Sequence, residues 1–155
     1  MTALWRAFES SDSALANGLF FPRSAYLRMK RGLLASPASD YTDRLMAFYR
    51  LDLAVYHQQV SSLPGRLVRI EVDRAASVWI APGTCENLIG YWHLPGVRFV
   101  YARSGRLWSF GVASLISWRG VWYVVHLGPN PRARNVGALD APASGPGAPG
   151  PLGGC

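Results

Sequence analysis

The chain has 155 residues, half of them apolar, and 16 basic against nine acidic side chains give a net charge of +7. That length and balance exclude a disordered chain and a domain too small to hold a core without staples. No run of about 18 apolar residues is present to cross a membrane. Lys30 is the only lysine. The arginines are dispersed and no stacking motif or zinc spacing accompanies them, so the charge reads as compositional and weighs against nucleic acid. Leu19-Phe20-Phe21 is too short for a signal-peptide core and is broken by Pro22, so the chain as written is expected in the cytoplasm.

In chain order, Thr2 is placed to cap a helix through Leu15, ended by Asn17-Gly18. Arg23 to Leu34 predicts a second, basic helix whose charged face reads as solvated, with a membrane-surface role as the alternative. The strongest helix runs from about Asp43 to Val60, capped by Asp40 or Thr42. Met46, Tyr49, Leu53, Tyr56 and Val60 recur at alternating steps of three and four, and Leu45, Phe48, Leu51 and Val55 widen the apolar arc. Asp52 falls inside that arc. A carboxylate there is either paired with an arginine or kept for a pocket.

Leu63-Pro64-Gly65 ends the helical part, and strands follow. Val68, Ile70 and Val72 alternate with charged residues. Short strands are expected at Val78–Ala81 and Leu88–Leu94, stopped by Pro82-Gly83 and Pro95-Gly96. Val97–Ala102 and Arg106–Trp118 flank the turn Ser104-Gly105, and Arg119-Gly120 leads into Val121–Leu127. In that register Tyr101 faces Trp108, Phe99 faces Phe110 and Ile116 faces Tyr123, which makes one bulky face. The other face sets Arg98 beside Gly111, Val100 beside Ser109 and Ala113 beside His126. If the bulky face is core, Arg98 and His126 point away from the helices; if the small-residue face is concave, they border a cavity with Asp52. Bulk favours the first. Residues 129–155 are rich in Pro, Gly and Ala and read as a flexible tail on a single domain of residues 1–128.

The fold class is therefore α+β, with N-terminal helices on a strongly curved antiparallel sheet. The element order resembles the NTF2-like, or SnoaL-like, cone. The segment Ala81-Pro-Gly-Thr-Cys-Glu-Asn-Leu-Ile-Gly-Tyr-Trp-His-Leu-Pro-Gly96 is more specific. With Ser109–Gly120, Trp122–Gly128 and the Pro/Gly tail ending in Cys155, it resembles a family of uncharacterised actinobacterial proteins over about residues 40–155. That resemblance supplies no catalytic residues. It implies an exported or membrane-anchored setting for longer members, so export stands as the alternative location.

Asp52, Glu86, His93 and His126 are the acid/base candidates, and Arg98, Ser109 and Trp122 the ligand-binding ones. Cys85 with a histidine and Asn87 invites a nucleophile reading, but no device lowering its pKa is legible. A flexible tail can bring Cys155 back to Cys85; a disulfide would close a loop of about 70 residues, worth about 3–4 kcal/mol, in an oxidising compartment. Two free thiols are the alternative. The three histidines lie on three elements without metal-ligand spacing, so no metal is expected, and no cofactor fingerprint is present. The leading expectation is a non-catalytic domain that binds a protein or a small apolar ligand. The alternatives are a SnoaL-like proton-transfer enzyme acting on a small carbonyl compound and, behind it, a basic nucleic-acid binder. A homodimer through the sheet is a further expectation.

Overall fold

The computed structural model describes residues 1–32, 34–62 and 65–148. The expected helix breaker Leu63-Pro64 and the terminal Cys155 lie outside the described residues.

The N-terminal helix is two helices, α1 (Thr2–Ser10) and α2 (Ser13–Leu19). Ser11 turns left-handed at φ 53°, and the Asp12 carboxylate accepts from the amides of Ala14 and Leu15, capping α2. Three consecutive residues whose side chains compete for backbone bonds, Ser10, Ser11 and Asp12, explain the break. Helix α3 (Arg23–Lys30) follows. A helical run then passes from α4 (Pro37–Ser39) through a π-helical stretch, Asp40–Met46, into α5 (Ala47–Ser61). Neither Asp40 nor Thr42 caps it. The run begins earlier, with Pro37 in its first turn, where a missing N–H costs nothing.

All strand pairs of the sheet are antiparallel. The order is β1 (Arg66–Glu71), β3 (Tyr91–Arg103), β4 (Arg106–Trp118), β5 (Val121–His126). β2 (Val78–Ile80) also pairs with β3, and β6 (Asp140–Ser144) with β4. Pro95-Gly96 does not end a strand. β3 continues through it, with Pro95 opposite Ser114 and Gly96 at φ 65°, a conformation that glycine tolerates and a β-branched residue does not. Both predicted turns form, and their central residues (Ser104 φ 49°, Gly105 φ 72°; Arg119 φ 51°, Gly120 φ 80°) have the positive φ of type I′ hairpins. In β1 a bulge at Val68 breaks the expected alternation, leaving Val68 exposed while Leu67 and Ile70 pack inward.

The bulky face is the core. Tyr101 pairs with Trp108 and Phe99 with Phe110, and α1 lays Trp5 and Phe8 over them. Tyr56 of α5 meets Phe110 edge-on at 5.0 Å. Its hydroxyl accepts from the Asp140 amide (3.0 Å) and lies 2.7 and 2.8 Å from the carbonyls of Gly111 and Leu127. One buried phenol thus ties α5 to β4, β6 and the end of β5.

The small-residue face is covered as well, by the chain's own continuation. Residues read as a flexible tail from 129 onward instead include β6, and the carbonyls of Ala141 (3.1 Å), Pro146 (3.2 Å) and Ala148 (2.5 Å) accept from the Arg98 guanidinium. Ser109 Oγ takes a further bond at 2.5 Å. Pairing with β4 and a buried arginine answer what composition left open: where this polar backbone finds partners. Gly111 is required beneath, since a Cβ there would sit 2.1 Å from the Asp140 carboxylate.

Candidate functional site

The core face has two ends. The first, residues 97–101 against 108–112, is filled by Trp5, Phe8 and Tyr56. The other end, around His93, Ser114 and Ile116, is not filled. It holds a cavity of about 110 Å³, roofed by Tyr26, Met29 and Lys30 of α3 and by Arg44 and Leu45 of the π-helical stretch. Cys85, Asn87 and Tyr91 line one side, Val125 and His126 another.

His126 reaches this cavity through a β-bulge. A regular hairpin would put it beside Ala113 on the small-residue face. Instead Val125 is an extra residue: Leu115 pairs with Val124, but Ser114 pairs with His126. The slip of one residue turns His126 onto the core face, a common use of bulges beside functional sites. His93, in register with Ile116, already lies on that face, and its Nε2 makes a short contact with Ser114 Oγ.

The cavity is cationic. Arg44 forms a bidentate pair with Asp40 (Nε–Oδ1 and Nη2–Oδ2, both 2.7 Å), and the Tyr26 hydroxyl donates to the same carboxylate. Burial acts to raise the Asp40 carboxyl, and the bonds from Arg44 and Tyr26 outweigh it, holding it below the usual range. Burial and the Asp40 charge push the Tyr26 phenol up, so it stays a neutral donor. Lys30 donates to the Cys85 carbonyl at 2.6 Å; burial lowers its ammonium, Glu86 opposes that and Arg44 adds to it. Burial also lowers His93. His126 is pushed down to about 3, by burial first and then by Arg44, Arg132 and His93. Both imidazoles are therefore neutral near pH 7 and can act as donors or acceptors. Among the described residues the His126 ring has no hydrogen-bond partner.

The loop beside the cavity is strained. Gly83, Cys85 and Glu86 have φ of 87°, 54° and 54°, and the Asn87 side chain bonds the Thr84 carbonyl at 3.3 Å and the Tyr91 hydroxyl at 3.4 Å. Two consecutive non-glycine residues in the left-handed region cost energy that a plain surface loop avoids.

The remaining predicted residues are elsewhere. Asp52 is 1% exposed, and the ion-pair reading is the correct one. Its carboxylate contacts Arg132 and accepts from the amides of Gly128 and Ala138, each at 3.0 Å. Burial raises this carboxyl, against the pull of the arginine and both amides. Its three bonds fasten the chain after β5, and it does not line the cavity, so it is not placed to act as a base there. Glu86 is exposed at the loop surface. Arg98 and Ser109 are spent on the covering segment. Trp122 is 44% exposed, in one row across the outer face with Trp79 and Trp92. Among the described residues, no group of three or more His, Cys, Asp or Glu is placed to hold a metal ion, and no helix is long and apolar enough to cross a membrane.

Sequence reading found His93 and His126 but missed Tyr26, Lys30, Arg44 and Ser114. Lys30 carried a signal, as the one lysine in an arginine-rich chain. The π-helical turn that places Arg44 carried none. No family model, curated protein or solved structure matches this chain.

Proposed function

We propose that the domain binds a small ligand in the cavity between α3, the π-helical stretch and the β4–β5 bulge, within an NTF2-like cone. The observation that carries this is the cavity wall: it combines apolar surface from Phe21, Met29, Leu45 and Ile116 with polar groups that keep bonding capacity, namely the His126 ring, Arg44 Nη1 and two of the three Lys30 donors. Its volume is of the order that holds one aromatic ring; a cavity of about 150 Å³ takes benzene. Calorimetric titration with benzoate and with benzamide tests it. Saturable binding of either, removed by the cavity-filling Ser114→Leu, is expected. No binding at millimolar concentrations, or binding that survives Ser114→Leu, would sink it.

A second reading is proton-transfer chemistry on a small carbonyl compound. The contact of His93 Nε2 with Ser114 Oγ in the cavity wall supports it, with His93 as base; Asp52, bound to Arg132, has no part in it.

We infer also that Cys85 bonds to Cys155 and that the protein works in the cell envelope. The covering segment is held by Arg98 as far as Ala148, a few residues before Cys155 in sequence, and Cys85 stands at the cavity wall. Alkylation of protein from its native compartment, without reductant, is expected to add no label. Two labels per chain would exclude the bond.

A further inference from the structure

The proposed pocket has an uneven charge inventory. Lys30 and Arg44 both face it, as do two imidazoles, while its one neighbouring carboxylate, Asp40, is already engaged by Arg44 and the Tyr26 hydroxyl. Glu86, the other acidic residue acting on Lys30, is exposed. The Lys30 ammonium has three donors, of which the Cys85 carbonyl takes one. Arg44 spends Nε and Nη2 on Asp40, leaving Nη1 without a hydrogen-bond partner among the described residues. Both cations are half-buried, the Arg44 side chain 34% exposed, so part of their hydration is lost and an acceptor in the cavity would replace it. Here the groups disfavour one another's charge: Arg44 acts to lower both Lys30 and His126. The rest of the wall is Phe21, Met29, Leu45, Ile80, Ile116 and Val125. One end is therefore short of negative charge and the other is greasy.

From this we infer that the ligand is a small monocarboxylate, its anionic oxygens seated at Lys30 and the open nitrogen of Arg44 and its apolar body against Ile116 and Val125. The neutral imidazoles of His93 and His126 complete the polar end as hydrogen-bond partners. A phosphate fits worse. The cavity of about 110 Å³ has little room for a dianionic head beside an apolar body, and Arg44 has given its fork to Asp40. This inference rests on the ligand-binding reading above, and the two fail separately.

The test compares benzoate with its neutral near-isostere benzamide by calorimetry, in wild type, Lys30→Met and Lys30→Arg. A hydrogen-bonded charge pair predicts that wild type prefers benzoate by about tenfold or more. Lys30→Met is expected to erase that preference while keeping benzamide binding, and Lys30→Arg to retain it. Equal affinities in wild type would overturn the carboxylate inference and leave the cavity reading standing. A benzoate preference that persists in Lys30→Met would overturn the assignment to this site. Binding of neither probe would remove both readings. Should Lys30→Met fail to fold, the wild-type ratio and Lys30→Arg still decide: loss of the preference in Lys30→Arg overturns the inference.

Discussion

The two polar sites of this domain, one buried around Asp52 and one half-buried around Lys30, differ in how far their hydrogen bonds are met. At Asp52, a carboxylate meets one guanidinium and two backbone amides, and of this network only Arg132 Nε is buried without a partner among the described residues. Around Lys30, Arg44, His93 and His126, cations and neutral rings face a cavity with no free acid among them. A buried network whose acceptor is engaged by three donors fixes a chain segment. An unsaturated one, bordered by apolar surface, is where a ligand can supply the missing partner.

The comparison breaks most readily at Asp52. Asp52→Ala leaves Arg132 buried without its partner and frees the amides of Gly128 and Ala138; a loss of about 3–5 kcal/mol is expected by urea unfolding. For a chain of this size that is on the order of 10 °C in thermal midpoint. An unchanged midpoint would mean that the carboxylate is no anchor.

The cavity should respond to pH instead. Burial pushes the His126 imidazole down to about 3 in the folded protein, from an ordinary value near 6.5, so the folded state takes up its proton last. Its contribution is present above pH 6.5 and is lost as pH falls toward 3, by up to about 1.4 kcal/mol per pH unit. Asp140 works in the opposite direction. Its carboxyl is raised to about 6, by burial against the pull of Arg98, so its contribution is present below about pH 4 and lost as pH rises through 6. The two are separated by comparing wild type with His126→Gln across this range. The variant is expected to gain on wild type as the solution is acidified, and parallel curves would refute the neutral imidazole.

The smallest effect sharpens the contrast. His126→Leu removes a polar ring without a hydrogen-bond partner among the described residues, so folding stability is expected to change by no more than about 1 kcal/mol. Benzoate binding is expected to weaken about tenfold all the same. Removal of Asp52 costs the fold; removal of His126 should cost only the ligand.

How far each site could be read from sequence follows from the same contrast. Helical phase alone put Asp52 inside the apolar arc of α5, because regular 3.6-residue periodicity carries position. The hairpin register was legible wherever both strands are regular: the predicted pairs Arg98–Gly111, Phe99–Phe110, Val100–Ser109, Tyr101–Trp108 and Ile116–Tyr123 all form. It failed at Val125, since a bulge inserts one residue without a compositional mark, and that residue decides which face His126 joins. The π-helical stretch, likewise, shifts Arg44 by a fraction of a turn that no apolar pattern encodes. The covering segment was misread because Pro, Gly and Ala composition describes an isolated chain, whereas Arg98 and the open edge of β4 supply it with partners. The features that make the candidate site are departures from regular geometry, and sequence periodicity describes regular geometry best.

The most direct test of the cavity as a ligand site is a benzoate titration at neutral pH, followed through the ring carbons of the three histidines by NMR. His93 and His126 are expected to shift together and saturate, while His57, bonded to the Phe8 carbonyl on the far side of α5, stays in place. Shifts that grow linearly at all three rings, or none at His93 and His126, would contradict the account.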